Sequence, residues 1–343
     1  MTGTAWISLQ FAACAAVIGL AGYQLSRYGD MIARRTGMSG SWVGLTLVAS
    51  VTSLPELATG ITSVTIAAAP NLAVGNALGS CVLNLVFLVV VDFLFREEPV
   101  WYRASQCHVL AAAFGVVMLG FTLLGLLVSQ IAPAGNVSLP TITAEIGLAT
   151  PVVLVLYLLA MRTVFAYERS HPAPAAAAND RPEPLALRQA GARFALAASL
   201  VVAAGLWLPF VAVDLAAAMG WNRSFVGSLF VAFATTLPEL AVTLAAVRIG
   251  ALDMAVGNLL GSNLFNVAII AVDDLFYRDG VLLADVSPVH ALTAGSAIVM
   301  TGLAMVGLFF RPRSRVLRAV GWVSLGLATM YLLNTYLLFL HGD

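Results

Sequence analysis

Lysine is absent from this 343-residue chain, and charged residues of all kinds make up only 10% of it. Soluble domains carry about a quarter, so a soluble globular fold is excluded. All seventeen basic residues are arginine, balanced by seventeen acids; no nucleic-acid partner is expected. Cysteine is scarce as well. Cys14, Cys81 and Cys107 lie in or beside apolar stretches without CxxC spacing, which argues against a disulfide framework and against a zinc site. The histidines, at 108, 171, 290 and 341, are scattered and read as loop or interface residues rather than ligands. No nucleotide-binding or cofactor motif appears, nor the aspartate motifs of intramembrane proteases, so neither an enzyme nor a cofactor is expected.

What fills the chain is hydrophobic sequence, at 60% of residues. Apolar runs long enough to cross a bilayer as helices recur throughout. Ten spans are expected, at roughly 5–26, 42–68, 71–95, 107–129, 144–165, 193–213, 223–249, 252–276, 287–310 and 317–340. The period is not the two-residue alternation of barrel strands. The first run lacks a basic flank before it and is read as a span, not a signal peptide. Fifteen of the seventeen arginines fall in or beside alternate connections, and only Arg223 and Arg278 lie on the other side. The positive-inside rule then puts both termini on the non-cytoplasmic side of a multi-pass plasma (inner) membrane protein.

One stretch is polar and rich in proline and alanine, from about Tyr167 to Gln189. It reads as a flexible cytoplasmic linker, too short to hold a regulatory domain. The expected organisation is a first repeat over 1–166, the linker over 167–189 and a second repeat over 190–343. The halves are internally related. TSLPELA at 52–58 matches TTLPELA at 235–241, and AVGNALGSCVLN at 73–84 matches AVGNLLGSNLFN at 255–266. An odd number of spans per copy forces the copies into opposite orientations. The fold class is therefore an all-α membrane protein of ten transmembrane helices in two inverted five-helix repeats, a plan that puts a transport site at the midplane.

Glu56 and Glu239 lie deep in spans 2 and 7, where an ionised carboxylate costs about 2.5 kcal/mol or more. With no lysine in the chain and no arginine at that depth, the natural neutraliser is a bound cation or a proton. The competing reading keeps each glutamate protonated and bonded to a neighbouring helix; its occurrence in both copies favours function. Pro55 and Pro238 precede these acids, and each removes an amide and clashes with the carbonyl four residues back, near Val51 and Ala234. Thr52, Ser53, Thr235 and Thr236 add hydroxyls on the same turn. Hard oxygens of this kind suit Na⁺ and Ca²⁺.

In spans 3 and 8, Asn76, Ser80 and Asn84, and likewise Asn258, Ser262 and Asn266, recur every fourth residue along one helix face. Ser80, Asn84, Ser262 and Asn266 are read as ligands or near-ligands. Asn76 and Asn258 serve equally well as interhelical glue. Gly75 with Gly79, and Gly257 with Gly261, have the spacing that lets helices approach closely. Asp92, Asp273 and Asp274 are expected at solvated helix ends as caps or vestibule residues, which leaves the two glutamates as the only deep charges.

The sequence resembles the cation/calcium exchanger superfamily, whose paired alpha-repeats read here VTSLPEL with GNALGSCVLN and ATTLPEL with GNLLGSNLFN. The resemblance covers nearly the whole chain. It implies exchange of Ca²⁺ for Na⁺ by alternating access, with Glu56 and Glu239 as the shared carboxylates. Thr52, Ser53, Ser80, Asn84, Thr235, Thr236, Ser262 and Asn266 would be the flanking oxygens, and spans 1 and 6 the gate helices. Cys81 departs from the usual asparagine, and Thr236 from serine. Asn266 stands where the potassium-dependent branch carries aspartate, which argues against K⁺ co-transport. A Ca²⁺/H⁺ antiporter using the same two acids is the alternative. The expected partners are inorganic cations and the lipid bilayer, with no obligatory protein partner evident.

Overall fold

Hydrocarbon offers the backbone no hydrogen-bond partners, so a chain this apolar must satisfy its own amides within helices. The computed structural model describes residues 3–95, 98–131, 146–170, 185–219, 232–316 and 320–341. In chain order its main helices are α1 (Gly3–Thr36), α2 (Gly40–Val43), α3 (Ala49–Thr52), α4 (Leu54–Thr65), α5 (Pro70–Leu94) and α6 (Val100–Arg103). They continue with α7 (Cys107–Ile131), α8 (Ala149–Ser170), α9 (Leu187–Ala218), α10 (Leu237–Arg248), α11 (Leu252–Phe276), α12 (Val289–Phe310) and α13 (Trp322–His341). A two-residue antiparallel pair, Arg315–Val316 with Val320–Gly321, sits before α13.

Among the described residues, eight helices are long and apolar enough to cross a membrane, and the broken pair 40–52 and 54–65, bent by 41°, makes a ninth. The expected span 223–249 is described only from residue 232, so its first part lies outside the described residues. The expected linker is helical at both ends, because α8 runs on to Ser170 and α9 starts at Leu187; 171–184 lie outside the described residues. Large apolar side chains such as Leu20, Phe309, Phe310 and Leu332 are left exposed, as a lipid-facing belt requires.

The halves interlock. Adding 182 to residues of the first half, from residue 71 onward, gives their counterparts, and the contacts repeat with that shift. Asn71 Oδ1 accepts from the Ser287 amide and lies 3.1 Å from His290 Nε2; its counterpart Asp253 accepts from the Ser105 amide and lies 3.2 Å from His108 Nε2. Asp92 accepts from the Val100 and Gly321 amides and the Ser324 hydroxyl, which ties span 3 to the start of α13. Asp274 accepts from the Leu282 and Gly147 amides and from Thr150, which ties α11 to the start of α8. Each repeat thus caps the last helix of the other. The solvated ends expected for Asp92, Asp273 and Asp274 are corrected here: all three are buried, at 0%, 0% and 1% exposure. The first and last are satisfied by backbone amides, and Asp273 is not.

The two ends of the bundle are fixed by the same contacts. Arg35 at the end of α1 donates to the Leu185 carbonyl, and Ser39 bonds Glu168, so this end carries the α8–α9 connection. The opposite end carries the α4–α5 turn and the Asn71–Ser287 contact.

Candidate cation site between the repeats

Proline cannot donate to the carbonyl four residues back, and both Pro-Glu segments break just before it. Ser53 (φ −90°, ψ 5°) separates α3 from α4, and Thr236 (φ −87°, ψ 0°) separates the helical residues 232–235 from α10. Each proline then falls in the first turn of the following helix, where its missing amide costs nothing. Glu56 and Glu239 sit in those same first turns.

A second irregularity has no counterpart in the motif pattern. Residues Gly44–Val48 form a π-helical turn between α2 and α3, a feature that often marks functional sites. It lets the broken helix press against α11. A Cβ at Gly44 would lie 2.9 Å from Met254 Cα, one at Gly257 2.6 Å from the Ser41 carbonyl oxygen, and one at Gly261 2.7 Å from Leu45 Cα. The Gly257/Gly261 spacing therefore does bring backbones together. Gly79 does not share this, since its nearest neighbour, Ala232 Cβ, would be 3.9 Å away.

Every residue expected at the site is buried: Thr52, Ser53, Glu56, Ser80, Asn84, Thr235, Thr236, Glu239, Ser262 and Asn266. Their hydrogen bonds cross between repeats in a reciprocal pattern. Thr52 Oγ1 donates to Asn258 Oδ1 at 3.3 Å, and its counterpart Thr235 donates to Asn76 Oδ1 at 3.0 Å. Thr52 also lies 3.4 Å from Ser262 Oγ, whereas Ser80 lies 3.1 Å from the Oγ1 of Thr236, the counterpart of Ser53. Asn258 donates in addition to Thr243 and to the Glu239 carbonyl, so it acts as interhelical glue here.

The symmetry fails at the acids. Ser53 Oγ donates to Glu239 Oε1 at 2.9 Å, whereas neither oxygen of Glu56 has a hydrogen-bond partner among the described residues. It fails again at Cys81, whose counterpart Asn263 is not among the expected ligands. Asn263 Nδ2 donates to the Cys81 carbonyl, its Oδ1 accepts from Asn84 Nδ2 at 3.1 Å, and the Cys81 thiol faces the Asn263 carbonyl at 3.7 Å. The mismatch of Asn263 against Cys81 in otherwise matching repeats was the available signal.

Left over are buried oxygens without a donor among the described residues: Glu56 Oε1 and Oε2, Glu239 Oε2, Asn84 Oδ1 and Asn266 Oδ1. A buried polar atom without a partner is costly, and two of these groups are carboxylates. No cluster of three or more His, Cys, Asp or Glu suited to a resident metal occurs among the described residues. Two acids diluted among neutral oxygens instead suit a hard cation held loosely enough to leave.

Comparison with known proteins decides the family. A model of the sodium/calcium exchanger protein family matches residues 6–165 and 190–340. The chain belongs to that family. Exchangers of this family are membrane transporters rather than enzymes, and the chain is a multi-pass membrane antiporter of cations. It is 32% identical over 248 residues to the putative antiporter CaxA of Alkalimonas amylolytica, covering 70% of this chain and 71% of that one. It is 42% identical over 60 residues to the sodium/calcium exchanger MaX1 of Methanosarcina acetivorans, 17% of each chain. The solved sodium-calcium exchanger NCX_Mj, soaked with 10 mM Na⁺ and zero Ca²⁺, superposes with a TM-score of 0.69 at 21% identity over 95% of this chain and 97% of that one. The exchanger fold is shared over almost the full length.

The first helices of the two repeats pack together. α1 lies along α9, and Ser26 in α1 donates to the Val242 carbonyl of α10 at 2.8 Å. Gly205 of α9 lies against both motif prolines, and a Cβ there would lie 3.5 Å from Pro238 Cγ and closer still to Pro55.

Proposed function

We propose that this chain exchanges Ca²⁺ for Na⁺ across the membrane by alternating access, independently of K⁺. The cation would be held by Glu56 and Glu239, with Thr52, Ser53, Ser80, Asn84, Thr235, Thr236, Ser262 and Asn266 as flanking oxygens. The observation that carries the reading is the set of unpartnered buried oxygens on Glu56, Glu239, Asn84 and Asn266 where the two repeats meet. Neutral asparagine at both 84 and 266 keeps charge off the positions flanking the glutamates and removes the acid that the potassium-dependent branch uses. Two carboxylates balance one Ca²⁺ or two Na⁺, so the two ions compete for one site. Both termini would lie on the non-cytoplasmic side of the plasma membrane, because the arginines collect at the end that carries the α8–α9 connection.

The test is ⁴⁵Ca²⁺ uptake by proteoliposomes under an outward Na⁺ gradient, compared with choline and with a pH gradient. Uptake driven by Na⁺ and unchanged by added K⁺ is the expected result. Uptake driven by the pH gradient alone would assign the same acids to Ca²⁺/H⁺ exchange instead.

A further inference from the structure

Asp273 is the deep charge that the two-glutamate account omits. It lies in α11, is fully buried, and neither carboxylate oxygen has a hydrogen-bond partner among the described residues. Its neighbour Asp274 is held by two amides and a hydroxyl as a helix cap, so the pair is not one solvated acidic end. The Asp273 carboxylate instead packs against Gly60 of α4, so closely that a Cβ at residue 60 would overlap it. Gly60 is one turn beyond Glu56 on the same helix face, and Asp273 is two turns beyond Asn266 on α11. The unpartnered groups Glu56, Asn266 and Asp273 therefore run along two facing helices toward the end of the bundle opposite the α8–α9 connection.

This arrangement exists on one side only. With the repeat shift, Asp273 corresponds to Val91 and Gly60 to Thr243. In that copy the Thr243 hydroxyl accepts from Asn258, and no carboxylate stands at the matching place. A structural role common to both repeats does not explain Asp273. A buried carboxylate without a donor among the described residues is neutralised by a cation or by a proton.

We propose that Asp273 is a third cation-binding carboxylate, a station for Ca²⁺ or Na⁺ in transit between the Glu56 end of the site and the face opposite the α8–α9 connection. Gly60, having no Cβ, leaves room for the carboxylate to sit against α4. This rests on the exchange function proposed above.

The test uses the full chain in proteoliposomes, with ⁴⁵Ca²⁺ offered separately to each face. Asp273→Asn, and Asp273→Val to copy residue 91, are expected to raise the half-saturating Ca²⁺ concentration at the face opposite the connection about tenfold, the loss of about 1.4 kcal/mol of binding. The value at the other face should stay within about twofold on the same scale. Gly60→Ala keeps the charge but pushes the Asp273 carboxylate from its place, and is expected to give the same one-sided shift even if the Asp273 variants fail to fold. Equal shifts at both faces, or unchanged values in all three variants, would overturn the proposal. Wild-type protein that exchanges no Ca²⁺ at all would instead remove the proposed function on which it rests.

Discussion

The Ser53 hydroxyl, on the broken helix of the first repeat, donates at 2.9 Å to Glu239 on the broken helix of the second, and among the described residues nothing equivalent reaches Glu56. One bond thus ties the two motif helices close to the break in each. It leaves the glutamates inequivalent, one partly satisfied and one free to meet a cation with both oxygens. A hydrogen bond to a charged group contributes about 1.5–3 kcal/mol. Ser53→Ala is expected to weaken Ca²⁺ binding by about tenfold, because Ser53 both orients Glu239 and supplies a hydroxyl oxygen. Thr236→Ala, whose hydroxyl touches Ser80 and the Ala232 carbonyl but no carboxylate, should cost less. Titration calorimetry of the purified protein with Ca²⁺ compares the two.

Asn84 and Asn266 occupy matching positions but do different work. Asn84 donates to Asn263, whereas neither amide atom of Asn266 has a partner among the described residues. Asn266→Ala should therefore leave the melting temperature of the cation-free protein nearly unchanged while raising the Ca²⁺ concentration for half-maximal transport several-fold. Asn84→Ala should lower both stability and affinity, since it strands Asn263 Oδ1, at a cost of about 1–3 kcal/mol. Thermal melts with and without Ca²⁺, beside flux curves, separate the two effects.

The close approach of the π-helical turn to α11 predicts a graded glycine series. Gly261→Ala pushes a methyl group into the Leu45 backbone, and such overpacking costs about 1–3 kcal/mol. Gly79→Ala meets only an ordinary contact with Ala232 and should be tolerated. Melting temperatures in detergent check this; similar stability for the two variants would mean that the Gly44–Val48 turn does not press on α11.

Asp92 and Asp274 are expected to be structural. Replacing either by alanine removes an acceptor from two amides and a hydroxyl and uncovers the start of a helix in the other repeat. A loss of about 1–3 kcal/mol follows for each, read as a lower melting temperature, with the Ca²⁺ affinity of the folded fraction unchanged.

Much of this was legible in the sequence, for reasons that particular residues make clear. Glu56, Glu239 and their prolines stand out because a charge in an apolar run is costly and a proline cannot sit quietly in mid-helix. The repeat doubles that signal and correctly implied the helical exchanger fold. The π-helical turn was not legible, because GLTLV differs in no local propensity from an ordinary helix and its shape depends on packing against Met254. Asp273 and Asp274 look alike as adjacent acids near a helix end. Only the contacts of Gly147, Leu282 and Gly60 separate a capped acid from an unpaired one. The repeat register held a clue, since Asp274 pairs with Asp92 and Asp273 with Val91. The same register links His108 with Asp253 and His290 with Asn71, but only folding shows that each pair joins opposite halves.

The central claim is that Glu56 and Glu239 together hold the transported cation, and the most direct measurement is ⁴⁵Ca²⁺ uptake driven by a Na⁺ gradient in proteoliposomes of wild type, Glu56→Gln and Glu239→Gln. The substitutions keep size and shape while removing one charge each. The account predicts that either one lowers uptake at least about a hundredfold, the loss of about 2.7 kcal/mol or more of binding, in protein whose melting temperature is retained. Wild-type uptake in either variant would contradict it.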